Sequence, residues 1–469
     1  MSMRLGLGLQ IALVLLVVSA TASAQVRPVG TEFQVNTYTS GDQYQTGRAV
    51  CTAGNGDFVV VWQSGSPYGG SVNGADGDGT GIFAQRYASS GASKGTEFQV
   101  NSYTIGSQVD PALCCQPDGD FVVTWTDATY IGPFEIGEIH AQRFASSGGF
   151  LGTEFQVNAY TGEAAFNSDI CCAADGDFVV VWNDLLTLSP PGGFIVGRRF
   201  ASSGAPQGTE FLVSDYLDSE PGVCCDAAGN FVVAWTQYTG PSSVFDVFAQ
   251  RYASNGAARG TEFQVNTYTT FFQGQAFPES FFGILENQAI CCDTAGDFTV
   301  AWVSYPSYPT SDVRAQRFAS DGSFRGTEFQ VNAYTTGDQT SPAACCGPNG
   351  DFVIVWTGEV GFRQSEPGEI NFVFGRRFGS NGTPLTSDFQ VNTYTSGSMY
   401  FPAVACAPAG EFVVSWSQFP REDGDSAGVF ARRFAPLELV PTPALSWLGV
   451  GSAVVALFGV GLGAFQRRK

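Results

Sequence analysis

Cys114-Cys115-Gln116-Pro117-Asp118-Gly119-Asp120-Phe121-Val122-Val123-Thr124-Trp125, then His140-Ala141-Gln142-Arg143-Phe144-Ala145-Ser146-Ser147-Gly148, then Gly152-Thr153-Glu154-Phe155-Gln156-Val157-Asn158, is one copy of a unit that fills most of the 469-residue chain. It holds four short runs of strand-forming residues separated by Gly/Asp turns: the cysteine run (a), the Phe-Val-Val run (b), the Gln-Arg run (c) and the Phe-Gln-Val run (d). The b-run tryptophans recur as Trp62, Trp125, Trp182, Trp235, Trp302, Trp356 and Trp416. The arginines ending c recur as Arg86, Arg143, Arg199, Arg251, Arg317, Arg377 and Arg433. The acids opening d are Glu32, Glu97, Glu154, Glu210, Glu262, Glu328 and Asp388. Every column has seven members.

Four short strands recurring every ~40–60 residues predict an all-β chain folded as a seven-bladed β-propeller of four-stranded antiparallel blades. The chain begins with a lone d run, Thr31 to Asn36, and its last unit stops after c at Phe434. The N-terminal strand is therefore expected to complete the last blade, which closes a ring and removes exposed strand edges. In six units the arginine of c precedes the acid of d by eleven residues, from 86 to 97 through 377 to 388. That constancy predicts one c–d turn geometry and places Arg opposite the acid across the ladder; Arg433 would meet Glu32.

The twelve cysteines fall into two columns. Seven residues before the Phe of b stand Cys51, Cys114, Cys171, Cys224, Cys291 and Cys345; six residues before it stand Cys115, Cys172, Cys225, Cys292, Cys346 and Cys406. Neighbouring residues of a strand point to opposite faces, and in a propeller those faces meet the previous and the next blade. Joining the first column of each blade to the second column of the next predicts Cys51–Cys115, Cys114–Cys172, Cys171–Cys225, Cys224–Cys292, Cys291–Cys346 and Cys345–Cys406. The two missing cysteines, at Thr52 and Ala405, are those that would bridge blades 7 and 1. Five vicinal disulfides plus Cys51–Cys406 also consume all twelve, but require strained rings. Zinc or iron–sulfur binding lacks Cys-x-x-Cys spacing.

Residues 1–24 read as a secretory signal: Arg4, the apolar stretch Ile11 to Val18, and Ala22-Ser23-Ala24 before Gln25. The propeller is expected over 25–436. A tail over 437–469 carries an apolar segment, Leu445 to Phe465, long enough for a single transmembrane helix, closed by Arg467-Arg468-Lys469. The stretch Val440-Pro441-Thr442-Pro443-Ala444-Leu445-Ser446-Trp447 with that helix and basic end resembles bacterial C-terminal sorting signals of the PEP-CTERM and IPTL-CTERM type, although the motif is neither Pro-Glu-Pro nor Ile-Pro-Thr-Leu. The resemblance covers about thirty residues and implies recognition and cleavage by a membrane sortase-like processing enzyme. A permanent anchor in the envelope membrane is the plainer reading. Either way, 25–436 is exported to the cell surface.

Phe is abundant at 40 residues and Lys occurs only at Lys94 and Lys469, a composition for strands and turns rather than helices. Removing Arg4, the three tail cations and Glu438 from 22 Lys+Arg and 43 Asp+Glu leaves 18 and 42, a net charge of −24 for the exported part. Such a field repels nucleic acid and anionic lipid, so no nucleic-acid partner is expected.

The a–b and c–d turns are nearly constant, whereas the b–c and d–a connections vary and share one face, as when loops carry function on a fixed scaffold. Three insertions stand out there. In blade 1, Asp76 and Asp78 within Gly65 to Thr80 resemble a fragment of a calcium loop, without the later bidentate Glu; a flexible turn is the alternative. In blade 6, Gly358 to Asn371 carries Glu359. The connection into blade 5 holds Phe271, Phe272, Phe277, Phe281 and Phe282, either a local mini-core or an apolar contact for a partner or glycan. His140, the sole histidine, is read as an ordinary strand residue, and no catalytic residue is assigned. The expectation is an exported binding or structural propeller whose variable face meets a glycan or cell-envelope macromolecule. The alternatives are a polysaccharide hydrolase or lyase using carboxylates on that face, and a module needing Ca2+.

Overall fold

The computed structural model describes residues 26–65, 75–131, 134–159, 164–186, 192–214, 218–240, 244–269, 272–274, 288–307, 310–359, 371–394, 397–419 and 427–436. The signal segment 1–24 and the tail 437–469, with its sorting motif and apolar segment, lie outside them. The described residues form seven antiparallel sheets, each with the strand order a-b-c-d. Blade 2 is representative: Ser107–Cys115 (a), Phe121–Ile131 (b), Phe134–Phe144 (c) and Phe155–Gln156 (d). In blades 1 and 5 strand a is split, into Gln43–Tyr44 with Val50–Thr52, and Gln273–Gly274 with Ala289–Cys292. Two sheets therefore contain five segments without departing from the plan.

The ring closes as the termini predict. Val26–Gln34 pairs with Gly428–Pro436, setting Phe33 opposite Ala431 and Gln34 opposite Phe430. Val35 N–H continues the ladder to the Val429 carbonyl at 2.8 Å. The chain's first strand is thus the outer strand of its last blade.

Strand b is apolar on both sides because both sides are interior. All seven tryptophans are at most 1% exposed. Phe231, Val233 and Trp235 pack with Val179, Val181 and Ile195 of the preceding blade, while Val232 and Ala234 pack with Phe298, Val300 and Trp302 of the next. The first Phe of b stacks on the aromatic ending c in every blade, from Phe58–Tyr87 at 4.8 Å to Phe412–Phe434 at 5.1 Å. The Phe of each d strand then leans on the c-strand aromatic of the next blade. This contact recurs at all seven seams, including Phe33–Tyr87 at 5.2 Å across the closure.

The six disulfides join neighbouring blades in the ring-wise scheme: Cys51–Cys115, Cys114–Cys172, Cys171–Cys225, Cys224–Cys292, Cys291–Cys346 and Cys345–Cys406, with Cα separations of 5.4–5.6 Å. At the closure seam Thr52 stands in the second column, and its hydroxyl donates to the Cys406 carbonyl at 2.8 Å. Such a series is the chemistry of an exported protein.

The c–d arginines and acids serve a different purpose from the one their spacing predicts. Ala84 is opposite Phe98, so Arg86 lies past the end of the d ladder rather than against Glu97. Arg86, Arg143, Arg199 and Arg251 instead reach forward and donate to c–d turn carbonyls of the next blade at Ser146, Ser203, Ser254 and Ser320, at 2.6–2.9 Å. Arg433 does the same to Ser90 across the closure. The acids reach backward. Glu97 accepts from the N–H groups of Thr37 and Tyr38, Glu154 from Ser102 and Tyr103, Glu328 from Thr267 and Tyr268, and Asp388 from Ala333 and Tyr334. Glu210 accepts from Ala159 and Glu32 from Thr393. Both columns are interblade rivets.

Two measurements check this ring. Non-reducing peptide mapping should recover the six blade-to-blade pairs; vicinal Cys114–Cys115 or Cys171–Cys172 peptides would contradict it. Each bridge spans 54–68 residues, so Cys291→Ala with Cys346→Ala should lower the unfolding free energy by about 4 kcal/mol on the chain-entropy account.

Candidate functional site

Each strand a runs from the variable face toward the constant face; in blades 1 and 5 it is split midway, and in the other five its register shifts there at a bulge. The shifts fall at Val109/Ala112, Phe166/Asp169, Ser219/Gly222, Thr340/Ala343 and Tyr400/Ala403. Asp110, Asn167, Ser341 and Phe401 there adopt φ of 53–55°, a conformation costly for residues with a Cβ. Neighbouring blades satisfy the backbone groups that the bulges free. Asp110 N–H donates to Gln63 Oε1 at 3.1 Å, and Gln45 Nε2 donates to the Phe401 carbonyl at 2.9 Å.

At that level two charged residues depart from what the other blades carry. Arg48 stands where four blades have proline (Pro111, Pro221, Pro342, Pro402), and Asp169 where the others have only Ala or Gly. The two meet across the ring: Arg48 Nη2 lies 3.2 Å from Asp169 Oδ2 and donates to the Gln288 carbonyl at 2.7 Å, tying blade 1 to blades 3 and 5. Asp169, 1% exposed, also accepts from the N–H groups of Val223 and Ile170. At the constant face the cysteines of the second column, with Thr52, rim an apolar recess of about 270 Å³.

The constant face is uniform. The residue opening strand b accepts the N–H of the c–d turn serine in six blades, as Asp57 does from Ser89 at 2.9 Å and Asp351 from Ser380 at 3.1 Å. On the variable face the described residues differ from blade to blade. Asp76 Oδ2 is buried without a hydrogen-bond partner among the described residues. Burial, with Asp78 nearby, holds the Asp76 carboxyl above its usual range. Asp78 N–H points to Asp76 Oδ1 at 3.4 Å. Two carboxylates are fewer than the six to eight oxygens calcium takes, and among the described residues no group of three His, Cys, Asp or Glu is placed to hold a metal.

Glu359 Oε2 accepts the Asp338 N–H at 3.1 Å, and Asp338 Oδ1 accepts the N–H and hydroxyl of Ser311. Burial, with the Glu359 charge beside it, raises the Asp338 carboxyl above its usual range. Asp338 and Glu359 thus stand as neighbouring acids at the variable-face end of blade 6. Phe272 is 7% exposed and packs on Phe245 at 5.0 Å and Tyr305 at 5.4 Å, the mini-core role. Phe271, Phe277, Phe281 and Phe282 lie outside the described residues.

His140 is more embedded than an ordinary strand residue. Its Nδ1 is 3.1 Å from Glu154 Oε1 and its Nε2 is 3.7 Å from Glu138. Burial opposes protonation, but the Glu154 bond and the charges of Asp127, Glu154 and Glu138 outweigh it, so its pKa lies above the ordinary value. Burial likewise opposes ionisation of Glu154, yet its bonds to His140 and Ser102 bring its pKa down to about 2. The Ser102 hydroxyl bonds Glu154 rather than the imidazole.

A further column stands two residues past the end of the unit. The Val-Asn pair, Val213-Ser214 in the fourth unit, is followed after one residue by tyrosine in all seven units: Tyr38, Tyr103, Tyr160, Tyr216, Tyr268, Tyr334 and Tyr394. Each described one opens a d–a connection, at the outer rim of the variable face. Tyr38, Tyr103, Tyr334 and Tyr394 are 37%, 49%, 46% and 58% exposed. Tyr268 is half-buried beneath the Arg314 guanidinium, 5.5 Å from its ring centre. Tyr160 and Tyr216 lie outside the described residues.

No protein-family model and no curated protein matches the chain. Among solved structures, a protein of unknown function from Dyadobacter fermentans is 11% identical with a TM-score of 0.51, over 88% of this chain and 99% of that one. A fungal alcohol oxidase of the AA5 family in complex with copper is 12% identical with a TM-score of 0.49, over 88% and 76%. A Penicillium chrysogenum α-L-arabinanase complexed with arabinobiose is 13% identical with a TM-score of 0.45, over 69% and 92%. At these identities the likeness is one of architecture.

Two predictions follow from the polar clusters. Arg48→Met strands the buried Asp169 carboxylate and should cost about 3 kcal/mol; adding Asp169→Asn should restore part of it in urea melts. The charge on His140 stabilises the fold fully below its ordinary 6.5, and that contribution fades as pH rises through the higher folded value. Glu154 contributes above its ordinary 4.5 and is lost as pH falls toward 2. His140→Phe, the residue at this position in blades 1, 4, 6 and 7, should therefore flatten the fall in melting temperature above pH 6.5.

Proposed function

We propose that this chain is an exported binding propeller that holds a glycan of the cell envelope or matrix on its variable face. The observation that carries this reading is the division between the faces. On the constant face the same residues make the same bond in blade after blade, whereas the other face carries loops of differing length and chemistry above a stapled ring. Rigid support beneath diversified loops lowers the ordering cost of binding. The tail that resembles a sorting signal would keep the ring at the membrane until a sortase-like enzyme releases it.

The acid pair Asp338 and Glu359 favours a second reading, a glycoside hydrolase or lyase, because one carboxyl holds its proton to higher pH than is usual. The buried, unpartnered Asp76 oxygen favours a third, a calcium-dependent blade 1.

The test is a pull-down of the full-length chain on insoluble polysaccharides and purified envelope fractions, with released sugar measured in the same tubes. Retention without sugar release is expected, and Glu359→Gln should retain binding. Sugar release abolished by Asp338→Asn or Glu359→Gln would replace this reading with the hydrolase. A rise in melting temperature on adding Ca2+ that Asp76→Asn removes would establish the third.

A further inference from the structure

The tyrosine column has a feature that packing does not require. Its backbone is clamped on both sides while its ring faces solvent. The Tyr103 N–H points to Glu154 and its carbonyl accepts from Asn101 at 2.8 Å; Tyr334 has the same two partners in Asp388 and Asn332. Tyr38 is held by Glu97 and Asn36, and the Tyr394 carbonyl by Asn392. The residue after it is threonine in six of seven units. Single exposed aromatics are unremarkable, but a solvent-facing ring at the same point in four of the five blades whose tyrosine is described is a built surface. A tyrosine has only two side-chain torsions to fix, and its backbone here is already fixed, so a ligand meets it at little entropic cost.

We infer that these tyrosines form a collar of equivalent subsites for a neutral polysaccharide, each ring stacking on the apolar C–H face of one sugar while neighbouring hydroxyls bond its edge. The inference rests on the glycan-binding reading above and names its contact surface. Charge selects the occupant. Each clamp sets a carboxylate at a tyrosine's backbone N–H (Glu97, Glu154, Glu328, Asp388) within a domain of net charge −24. Anionic polymers and a second copy of this chain are both repelled. A protein partner needs a contiguous patch of about 800 Å², whereas these rings stand one per blade, separated by polar residues. A surface that repeats its contact is matched by a ligand that repeats its own, and multivalency then supplies affinity that no single ring provides.

The experiment compares the full-length chain with Tyr38→Ala, Tyr103→Ala, Tyr334→Ala and Tyr394→Ala, singly and combined. The probes are a β-1,3-glucan, a β-1,4-glucan and a galactomannan, with polygalacturonate and heparin as anionic polymers. Neutral polymers should bind and anionic ones should not. Each single change should weaken binding by about threefold to tenfold, and the quadruple variant by about 100-fold, at unchanged melting temperature. If the quadruple variant binds as the parent does, the collar is wrong while the glycan reading stands. A parent that binds only the anionic polymers overturns the collar and leaves the glycan reading, and one that binds none of the polymers overturns both. Should the quadruple variant misfold, Tyr394→Trp keeps the ring and reports on it: its added fluorescence should shift as the bound glucan is titrated in, and an unchanged spectrum rejects the collar.

Discussion

Closure of the ring depends on one strand pairing, that of Phe33 and Val35 with Ala431 and Val429. Without it the last blade lacks its outer strand, Phe33 no longer covers Tyr87, and Glu32 no longer holds the backbone at Thr393. Blade 1 would then have no predecessor to pack against. The distinction between two faces follows from closure, since only a ring turns alternate connections to opposite sides of one disc. No disulfide guards this seam. The substitute is a set of weaker contacts: Thr52 to the Cys406 carbonyl, Arg433 to the c–d turn of blade 1, and Glu97 to the backbone after the first strand.

The seams explain why so many charged residues carry no chemistry. An arginine reaching forward and an acid reaching backward satisfy backbone groups that the end of a two-residue d strand leaves open. Inside the blades, the packing of Phe, Val and Trp on both sides of strand b supplies the apolar burial, and the cysteines near the axis fix what the apolar contacts position. The polar residues left for function stand at the outer rim and in the loops of one face. The axis itself is spanned below that face by Arg48 and Asp169.

The blade count, the closing strand and the cysteine pairing were legible because seven internal copies act as an alignment within one chain. Columns show which positions are fixed, and strand alternation converts two adjacent cysteine columns into links to opposite neighbours. The partner of Arg86 was not legible. An eleven-residue spacing reports the length of a turn, and Ala84 facing Phe98 leaves the arginine beyond the ladder, free to extend to the next blade. Arg48 and Asp169 escaped for the opposite reason: they are exceptions to the repeat, and a search for regularity passes over them. Two departures at neighbouring positions of strand a, opposite in charge, were the available signal. The tyrosines were missed because the repeat unit was taken to end with its last strand, two residues before the column that reaches solvent.

The most direct test of the closed ring is native-state hydrogen exchange at the Val35 amide, compared with Val265, which makes the same bond inside blade 4. Equal, slow exchange at both positions, lost together in the global transition, is what a ring closed by its own first strand requires. Exchange at Val35 as fast as at a frayed terminus, with Val265 still protected, would contradict it.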